Sequence, residues 1–306
     1  PGLPENLVYL DLSHNQLKGE IPTHWQSFQK LEYIDLRYNS FNGSIPPSLF
    51  TVPSLQNIQL AFNQLKGQAP DFSNPASSVL DTFDLSSNNL EGPIPPSIFK
   101  VQTLKVLILS SNRFKGSVQW NCIQALPKIT TFDMSYSNLT DIASGNNKNS
   151  TLSSIFPQFN TLSLAWSNLR IFPELGNQSR LSYLDLSGNN ISGVVPRWIL
   201  ESTTIYHLNL SHNNLRCFEV PISLPYVITL DLQHNNLQGE IPIISSLDIS
   251  YVDYSHNDFN GSITAELSNH FLFTNIIILS NNRIGGVIPT SICTASSLRV
   301  LDLSNQ

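Results

Sequence analysis

Leucine and isoleucine recur along the chain at a fixed spacing, and the polar positions between them recur with it. The pattern L-x-x-L-x-L-x-x-N first appears at Leu7, Leu10, Leu12 and Asn15. Because side chains alternate between the two faces of a strand, x-L-x-L-x predicts a short strand with its leucines on one face and its polar residues on the other. Aligned on the asparagine, the repeats fall at positions 15, 39, 63, 88, 112, 137, 167, 189, 213, 235, 257, 282 and 306.

Repeats of this kind identify a leucine-rich-repeat solenoid, with about 12–13 coils of about 24 residues. We predict a right-handed α/β-type coil with parallel strands about 4.8 Å apart on the concave face and little helix. Each coil buries its leucines against the next, so stability is a sum over neighbouring coils. The repeated asparagine is expected to be a buried amide that bonds backbone groups of adjacent turns.

A second pattern, x-L-x-G-x-I-P, follows the asparagine in several repeats. It reads Leu17, Gly19, Ile21 and Pro22 in the first repeat and returns at 41–46, 90–95 and 237–242. Glycine permits a tight backbone path, and proline ends strand pairing because it has no N–H. This pattern resembles the plant-specific class of leucine-rich repeats, and the resemblance implies a second short strand beside the main sheet.

The middle of the chain, residues 137–225, departs from both patterns. Ser137 and Ser167 replace the asparagine, the step between them is 30 residues, and the second pattern is damaged after Leu139, Leu169 and Leu215. Residues 141–154 are polar and predict a loop insertion, which is either drift on the convex side or a functional bulge. The whole chain, 1–306, is expected to be one solenoid domain without Cys-pair caps at either end, as in a piece of a larger ectodomain.

Composition excludes several classes of function. With 16 Lys+Arg against 22 Asp+Glu and no basic cluster, the chain is not expected to bind nucleic acid or anionic membranes. No apolar run approaches the ~20 residues of a membrane helix, so any membrane attachment would use a helix outside these residues. Cys122, Cys217 and Cys293 lie about four repeats apart, too far for disulfides or a zinc site, and are expected to be buried and unpaired. No cofactor or metal is predicted.

Asparagines in N-x-S/T sequons favour the secretory route. Asn209 differs from the others because it lies between two core leucines and is expected to face the concave sheet. The predicted glycosylation sites are Asn42, Asn138, Asn149, Asn177, Asn190, Asn209 and Asn260.

Two polar columns of the concave face have both a functional and a structural interpretation. A column of aspartates, including Asp231 and Asp253, is either an acidic stripe for a basic ligand or a feature of the repeat in which neighbouring serines hold each carboxylate. His212, His234 and His256 occupy one slot in successive repeats, with His14 in the first. They could sense pH, but no nucleophile–base set or ligand shell is evident, and we do not expect an enzyme.

Aromatic residues on the concave face are the stronger candidates for ligand contact. The first aromatic cluster comprises Tyr33, Arg37, Tyr38 and Phe62, with Asn57 and Gln59 alongside. The second aromatic cluster comprises Tyr136, Trp166 and Tyr183 in the irregular middle. The alternative is that these tyrosines only shield neighbouring strands.

Three stretches resemble the ectodomains of plant receptor-like proteins, especially the group typified by tomato Verticillium-wilt resistance receptors. They are NLRIFPELGNQSRLSYLDLSGNNISGVVPRWI (168–199), SYVDYSHNDFNGSI (250–263) and SICTASSLRVLDLSN (291–305). The resemblance implies a single-pass receptor on the extracellular face of the plasma membrane that recognises a protein or peptide elicitor in defence. It also implies signalling through a partner receptor-like kinase.

Three alternatives remain open at this point. A secreted inhibitor of pathogen cell-wall-degrading enzymes has similar repeats but includes Cys caps. The ectodomain of a receptor kinase would have the same sequence pattern. A purely structural wall protein would be expected to have no aromatic clusters.

Overall fold

The fold is taken from a computed structural model, which describes residues 5–72, 78–143, 156–173, 175, 178–246 and 248–306. The chain divides into two compact units, Pro1–Phe159 and Asn160–Gln306. Both are built from the coils that the leucine spacing predicts.

The first unit contains a parallel sheet with one strand per repeat. In the first pair, Leu10 lies opposite Ile34, and Ile34 lies opposite Ile58 in the next. These three side chains are buried, while the polar residues on either side point to the opposite face. The main-sheet strands described here are Tyr9–Asp11, Tyr33–Asp35, Asn57–Gln59, Thr82–Asp84, Val106–Ile108 and Thr131–Asp133.

The second unit repeats this arrangement. Leu184 lies opposite Leu208, and Leu208 opposite Leu230, again in parallel register. Its described main-sheet strands are Thr161–Ser163, Tyr183–Asp185, His207–Asn209, Thr229–Asp231, Tyr251–Asp253, Ile276–Ile278 and Val300–Asp302. The leucine-rich-repeat solenoid predicted from the spacing is confirmed.

A second set of short parallel strands follows the asparagine positions, as the x-L-x-G-x-I-P pattern implies. In the first unit these second strands are Lys18–Glu20, Ser40–Asn42, Lys66–Gly67, Asn89–Gly92, Arg113–Gln119 and Asn138–Ala143. In the second unit they are Ser192–Val195, Asn214–Phe218, Gln238–Glu240, Asp258–Ser262 and Arg283–Gly285.

Helical turns are few and short among the described residues. Proline at the first or preceding position opens several of them, since its fixed φ suits a helix start. The 3₁₀ turns are Pro47–Thr51, Pro96–Lys100 and Thr290–Thr294, and the α-helices are Trp120–Gln124, Arg197–Leu200 and Ala265–His270. Within the described ranges, no helix has the length and apolar character needed to cross a membrane.

From Asn39 onward, the repeated asparagines bond backbone groups of two coils at once, as expected. Asn39 Nδ2 donates to the carbonyl of Leu12 in the preceding coil at 2.8 Å and to that of Leu36 in its own at 3.2 Å. Asn39 Oδ1 accepts from the Leu17 N–H at 3.0 Å. Asn63 repeats these bonds with Leu36, Leu60 and the N–H of Phe41. These amides satisfy backbone groups that would otherwise be buried without partners.

The irregular middle keeps its strands better than its sequence suggests. The repeats of Leu139 and Leu215, which lack the glycine–isoleucine–proline sequence, form second strands of six and five residues. Without proline, strand pairing continues past the usual end. The strand Asn138–Ala143 therefore includes the first residues of the segment 141–154 that was predicted as a loop. Residues 144–154 of that segment lie outside the described part.

The three cysteines are unpaired, as predicted. The expectation that they are buried is wrong for Cys217 and Cys293, which are exposed, while Cys122 is half-buried. Cys217 lies opposite Val194 on the outward face of a second strand, and Val194 is also exposed. The repeat of Leu215 lacks the glycine–isoleucine–proline sequence, so the sequence did not show that Cys217 lies on a second strand with its thiol in solvent.

Candidate ligand-binding surface

Aspartates at the ends of the main-sheet strands are held by the residue two positions on. Asp84 Oδ1 accepts hydrogen bonds from the Ser86 N–H at 2.9 Å and the Ser86 hydroxyl at 2.7 Å. Asp253 is bound in the same way by Ser255. Burial raises the pKa of Asp84 and of Asp231. These contacts support the structural interpretation of the aspartate column, since each carboxylate closes its own turn.

Two tyrosines and an ion pair cover the start of the first unit's main sheet. The rings of Tyr9 and Tyr33 are stacked, with centroids 4.3 Å apart. The Tyr33 hydroxyl donates to Asp35 Oδ2 at 3.2 Å, and burial followed by the charge of Asp35 raises the pKa of Tyr33 to about 12. Arg37 lies on the same carboxylate, with Nη2 2.6 Å from Asp35 Oδ2.

Arg37 is therefore not a free cation for a ligand. Its hydrogen bonds to Asp35 raise its pKa, and Asp35 itself is 1% exposed. The side chain of Arg37 stays half-exposed, however, and Tyr38 follows it directly in the chain. It can present a flat guanidinium surface and its remaining donors to a partner.

The residue before each repeated asparagine adopts a left-handed backbone conformation. In the first unit this left-handed column includes His14, Tyr38 and Phe62, with φ values of 54°, 53° and 55°. A positive φ is unfavourable for residues other than glycine, and the side chain of the asparagine that follows holds the turn through hydrogen bonds to its carbonyls. The same conformation directs three successive side chains along one line.

The three rings of this column form the first ladder, His14–Tyr38–Phe62. Ring centroids of His14 and Tyr38 are 4.3 Å apart, and those of Tyr38 and Phe62 are also 4.3 Å apart. Tyr38 is 42% exposed and Phe62 46% exposed. Tyr38 and Phe62 are among the predicted contact residues, and His14 is not. The position that all three share, directly before the repeated asparagine, is the sequence signal that links them.

The remaining residues of the first aromatic cluster lie on the adjacent strands. Asn57 and Gln59 are half-buried on the strand between Tyr33–Asp35 and Thr82–Asp84. Asn57 Oδ1 is buried and has no hydrogen-bond partner among the described residues. The structure thus brings all six residues of this cluster together on two neighbouring coils.

The second aromatic cluster is divided between the two units. Tyr136 is an exposed residue of the left-handed column in the first unit. Trp166 and Tyr183 belong to the second unit, Trp166 in the left-handed column and Tyr183 at the first position of a strand. Tyr183 stacks on His207 with centroids 4.4 Å apart.

The second unit contains its own ladder, Trp166–His212–His234–His256. Gly188 stands in the column between Trp166 and His212, and a Cβ there would clash with the indole ring. The Trp166 ring therefore lies over the glycine, 6.2 Å from the His212 ring. The imidazoles of His212 and His234 stack at 4.4 Å and those of His234 and His256 at 4.0 Å.

Burial and the neighbouring imidazoles lower the pKa of His234, while Asp253 opposes that shift. The Ser211 hydroxyl donates to Asn209 Oδ1 at 2.7 Å, so it is not activated by a histidine. Among the described residues, no group of three or more His, Cys, Asp or Glu side chains is arranged to hold a metal ion.

Another exposed group was missed by the sequence analysis. Tyr206, Tyr226 and Ile228 are all exposed near the start of main-sheet strands in the second unit, and the two tyrosine rings are 6.5 Å apart. Alignment of the position preceding each strand would have revealed the neighbouring Tyr206 and Ile228.

The sequons differ in their environments. Asn42, Asn190 and Asn260 are exposed, and Asn190 Nδ2 donates to Asn168 Oδ1 at 3.1 Å. Asn209 is half-buried on the main sheet, as its position between two leucines predicts. Asn138 begins a second strand. Asn149 and Asn177 lie outside the described residues.

Comparisons with known proteins agree with this architecture. The family model described as Leucine rich repeat matches residues 5–65, and the model described as Leucine Rich Repeat matches 79–101, 180–201, 226–247 and 275–295. Receptor-like protein 47 of Arabidopsis thaliana is 31% identical over 162 residues, which are 53% of this chain and 18% of the relative. Receptor-like protein 7 of the same plant is 31% identical over 158 residues, 51% of this chain and 14% of the relative.

Solved structures show the same fold over nearly the whole chain. The Arabidopsis receptor kinase HAESA, in complex with the peptide hormone IDA and the co-receptor SERK1, is 28% identical with a TM-score of 0.71. The similarity covers 98% of this chain and 54% of that one. The ectodomain of GASSHO1/SCHENGEN3 from Arabidopsis thaliana, in complex with CASPARIAN STRIP INTEGRITY FACTOR 2, is 25% identical with a TM-score of 0.73, covering 98% and 38%.

The matches therefore span less than a fifth of the curated relatives' length. The narrower resemblance to the tomato wilt-resistance group stays a prediction. The family models and the repeated coils agree on leucine-rich repeats. The chain is a leucine-rich-repeat solenoid, and the curated relatives to which it is similar are plant receptor-like proteins.

Proposed function

We propose that this chain is the ligand-recognition part of a plant cell-surface receptor and binds a protein or peptide elicitor in defence. The binding site is the first aromatic cluster on the main-sheet face of the first unit, extended by His14. In the intact protein, a single membrane helix outside these residues holds the repeats on the extracellular side. Signalling passes through a partner receptor-like kinase.

The exposed stack of His14, Tyr38 and Phe62 is the observation that carries this proposal. Aromatic and arginine side chains dominate binding energy at protein interfaces, especially where polar groups surround them. Because the rings are already ordered by stacking and by the left-handed turn, a ligand would lose little side-chain entropy on binding them. Asn57 and Gln59 add amide groups that can bond a peptide backbone.

The comparisons support a peptide as the ligand class. HAESA, 28% identical to this chain, is described in complex with the peptide hormone IDA. Among the residues that the structure describes, no catalytic constellation competes with binding as the role of this face, since Asp84, Asp253 and Ser211 are engaged in turns. We accordingly assign recognition rather than catalysis.

A displayed random-peptide library provides a probe when the natural ligand is unknown. Peptides selected on the full chain are synthesised, and their Kd is measured for the parent and for Tyr38→Ala with Phe62→Ala. Replacing both aromatic residues should raise the Kd at least about tenfold, because removal of interface anchors weakens binding. Circular dichroism would verify that the variant is folded.

Ser87→Ala with Ser111→Ala is the matched control, because both serines occupy the left-handed column of the same unit. This pair should leave Kd within about twofold of the parent. Selected peptides that bind the aromatic variant as tightly as the parent would contradict the proposed site.

The coding transcript tests the class of the intact protein. A membrane helix and a short tail would support the receptor-like protein. A kinase domain would favour the receptor-kinase ectodomain, and a stop after a Cys-pair cap would favour the secreted inhibitor of cell-wall-degrading enzymes.

A further inference from the structure

A polar groove of 680 Å³ lies on the second strands of the first unit, away from the main-sheet face. Its volume is within the ~300–1,000 Å³ of small-ligand sites. The strands supply its walls with one or two residues each. The polar side chains that line it include Glu20, Asn42, Gln64, Lys66, Glu91 and Arg113.

The charges of this groove are balanced and unengaged. The lining includes two carboxylates, Glu20 and Glu91, and two cations, Lys66 and Arg113. Within the described parts of the chain, none of these four side chains forms an ion pair. Cationic donors and anionic acceptors are therefore both available. Because the two positive and two negative charges cancel, the groove suits a neutral ligand that is rich in hydrogen-bonding groups.

One wall residue is itself a site of modification. Asn42 is exposed at the end of the strand Ser40–Asn42 and begins the sequon Asn42-Gly43-Ser44. Gly43 has φ +73°, and a Cβ there would lie 2.7 Å from Glu20 Cγ. Glycine thus allows the Glu20 side chain to lie directly beside Asn42.

We infer that this groove holds the first sugars of an N-linked glycan on Asn42, an inference that rests on the proposed extracellular location. The donor is a lipid-linked oligosaccharide diphosphate. Asn42 Nδ2 forms a bond to C1 of the first N-acetylglucosamine while the bond from C1 to the diphosphate oxygen breaks. The lipid diphosphate leaves, and Nδ2 loses one proton.

The chemistry of the first sugars matches the groove. Their hydroxyls donate to Glu20 and Glu91, and their hydroxyl and acetamide oxygens accept from Lys66 and Arg113. A glycan held in this way covers the second strands and leaves the main sheet open. The groove thereby directs a protein ligand to the face that carries the first ladder.

The second unit offers a matched site with the same local sequence. Phe259-Asn260-Gly261-Ser262-Ile263 repeats the five residues 41–45, and Asn260 is likewise exposed on a second strand. Glu240 pairs with Asn260 as Glu20 pairs with Asn42. The following coil differs, because Gly285 stands three residues after its asparagine where the first unit has Lys66. Arg283 in that coil is engaged with Asp258 at 2.7 Å.

The test compares release of the two glycans. The full 306-residue chain, fused to a secretion signal, is produced in insect cells, and glycopeptides are identified by mass spectrometry. A peptide N-glycosidase, which releases the whole glycan from the asparagine side chain, is then applied to the native protein. Release from Asn42 should be about tenfold slower than from Asn260, as one or two net hydrogen bonds would produce. After denaturation, the two rates should become equal.

Variants of the groove wall make the comparison specific. Lys66→Ser and Glu91→Ser change exposed side chains and should bring release from Asn42 to within about twofold of that from Asn260. Equal native rates in the parent chain would overturn the inference. Occupancy of Asn260 with Asn42 empty would overturn it and leave the proposed function standing. Absence of glycan at both sites would count against the secreted location as well.

Discussion

The two ladders share a backbone position and differ in what their rings can do. Both lie in the left-handed column, with φ between 53° and 55° at Tyr38, Phe62, His212 and His256. In the first ladder, a phenol and a phenyl ring stack in succession, with a single imidazole, His14, at one end. In the second ladder, three imidazoles stack in succession. The same backbone position in each repeat can therefore present rings suited to ligand contact or a row of rings that can be protonated.

The largest effect should come from the asparagines that support both ladders. Asn63 follows Phe62 and Asn213 follows His212, and each amide bonds three carbonyls and one backbone N–H. Replacement by alanine leaves buried groups unsatisfied, so either change should lower the free energy of unfolding by about 3 kcal/mol. Denaturant unfolding measures this loss.

Asn15→Ala provides the control, since the Asn15 side chain bonds only carbonyls of its own coil and is exposed. Asn15→Ala should lower the free energy of unfolding clearly less than Asn63→Ala or Asn213→Ala. Equal losses at all three positions would show that bonding between coils is not the source of stability.

A smaller effect is expected where glycine separates Trp166 from the histidines. Gly188→Ala places a methyl group against the indole ring at a position with φ +62°. The ring must move, so unfolding free energy should fall by about 1–3 kcal/mol and Trp166 fluorescence should change. The first ladder has no such gap.

Gly193→Ala isolates the ring contact. Gly193 also has a positive φ, 98°, but a Cβ there meets nothing within 4 Å. A fluorescence change as large in this variant as in Gly188→Ala would contradict the packing of Trp166 over the glycine.

The smallest expected effect is a difference between the two ladders in how the free energy of unfolding depends on pH. Burial lowers the pKa of His207 and of His234, the latter also through His256 and His212, with Asp253 opposing. The unfolded chain then binds more protons than the folded chain below the usual histidine pKa of about 6.5. Stability should therefore decline as pH falls through that value.

His234→Phe keeps a ring in the stack and removes its titration. The slope of unfolding free energy between pH 7.5 and pH 5 should become shallower, whereas Phe62→His in the first ladder is not expected to flatten it. An unchanged slope in His234→Phe would show that the second ladder does not contribute to the pH response.

The repeating parts of the fold were predictable because each depends on a few nearby positions. Leu10 and Ile34 are buried by strand alternation, and Asn39 lies where its amide reaches the preceding coil. The second strands followed from glycine and proline. Their continuation at Asn214–Phe218 did not, because a damaged pattern does not say where strand pairing stops.

The surface was less predictable than the core. Tyr38 and Phe62 were identified as exposed aromatics, but the stacking with His14 depends on a left-handed turn that no single repeat reveals. Arg37 was selected as a ligand contact, and its ion pair with Asp35 arises from a side-chain conformation. The groove around Asn42 combines residues from several coils, each unremarkable alone.

The asparagine bonds also give the solenoid an order in time. The Leu17 N–H and the Leu12 carbonyl are bonded by Asn39, which lies 22 and 27 residues later in the chain. During synthesis, the hydrogen bonds that complete the turn of one coil can form only after the asparagine of the next coil has been made. The most recently synthesised coil therefore always lacks these bonds.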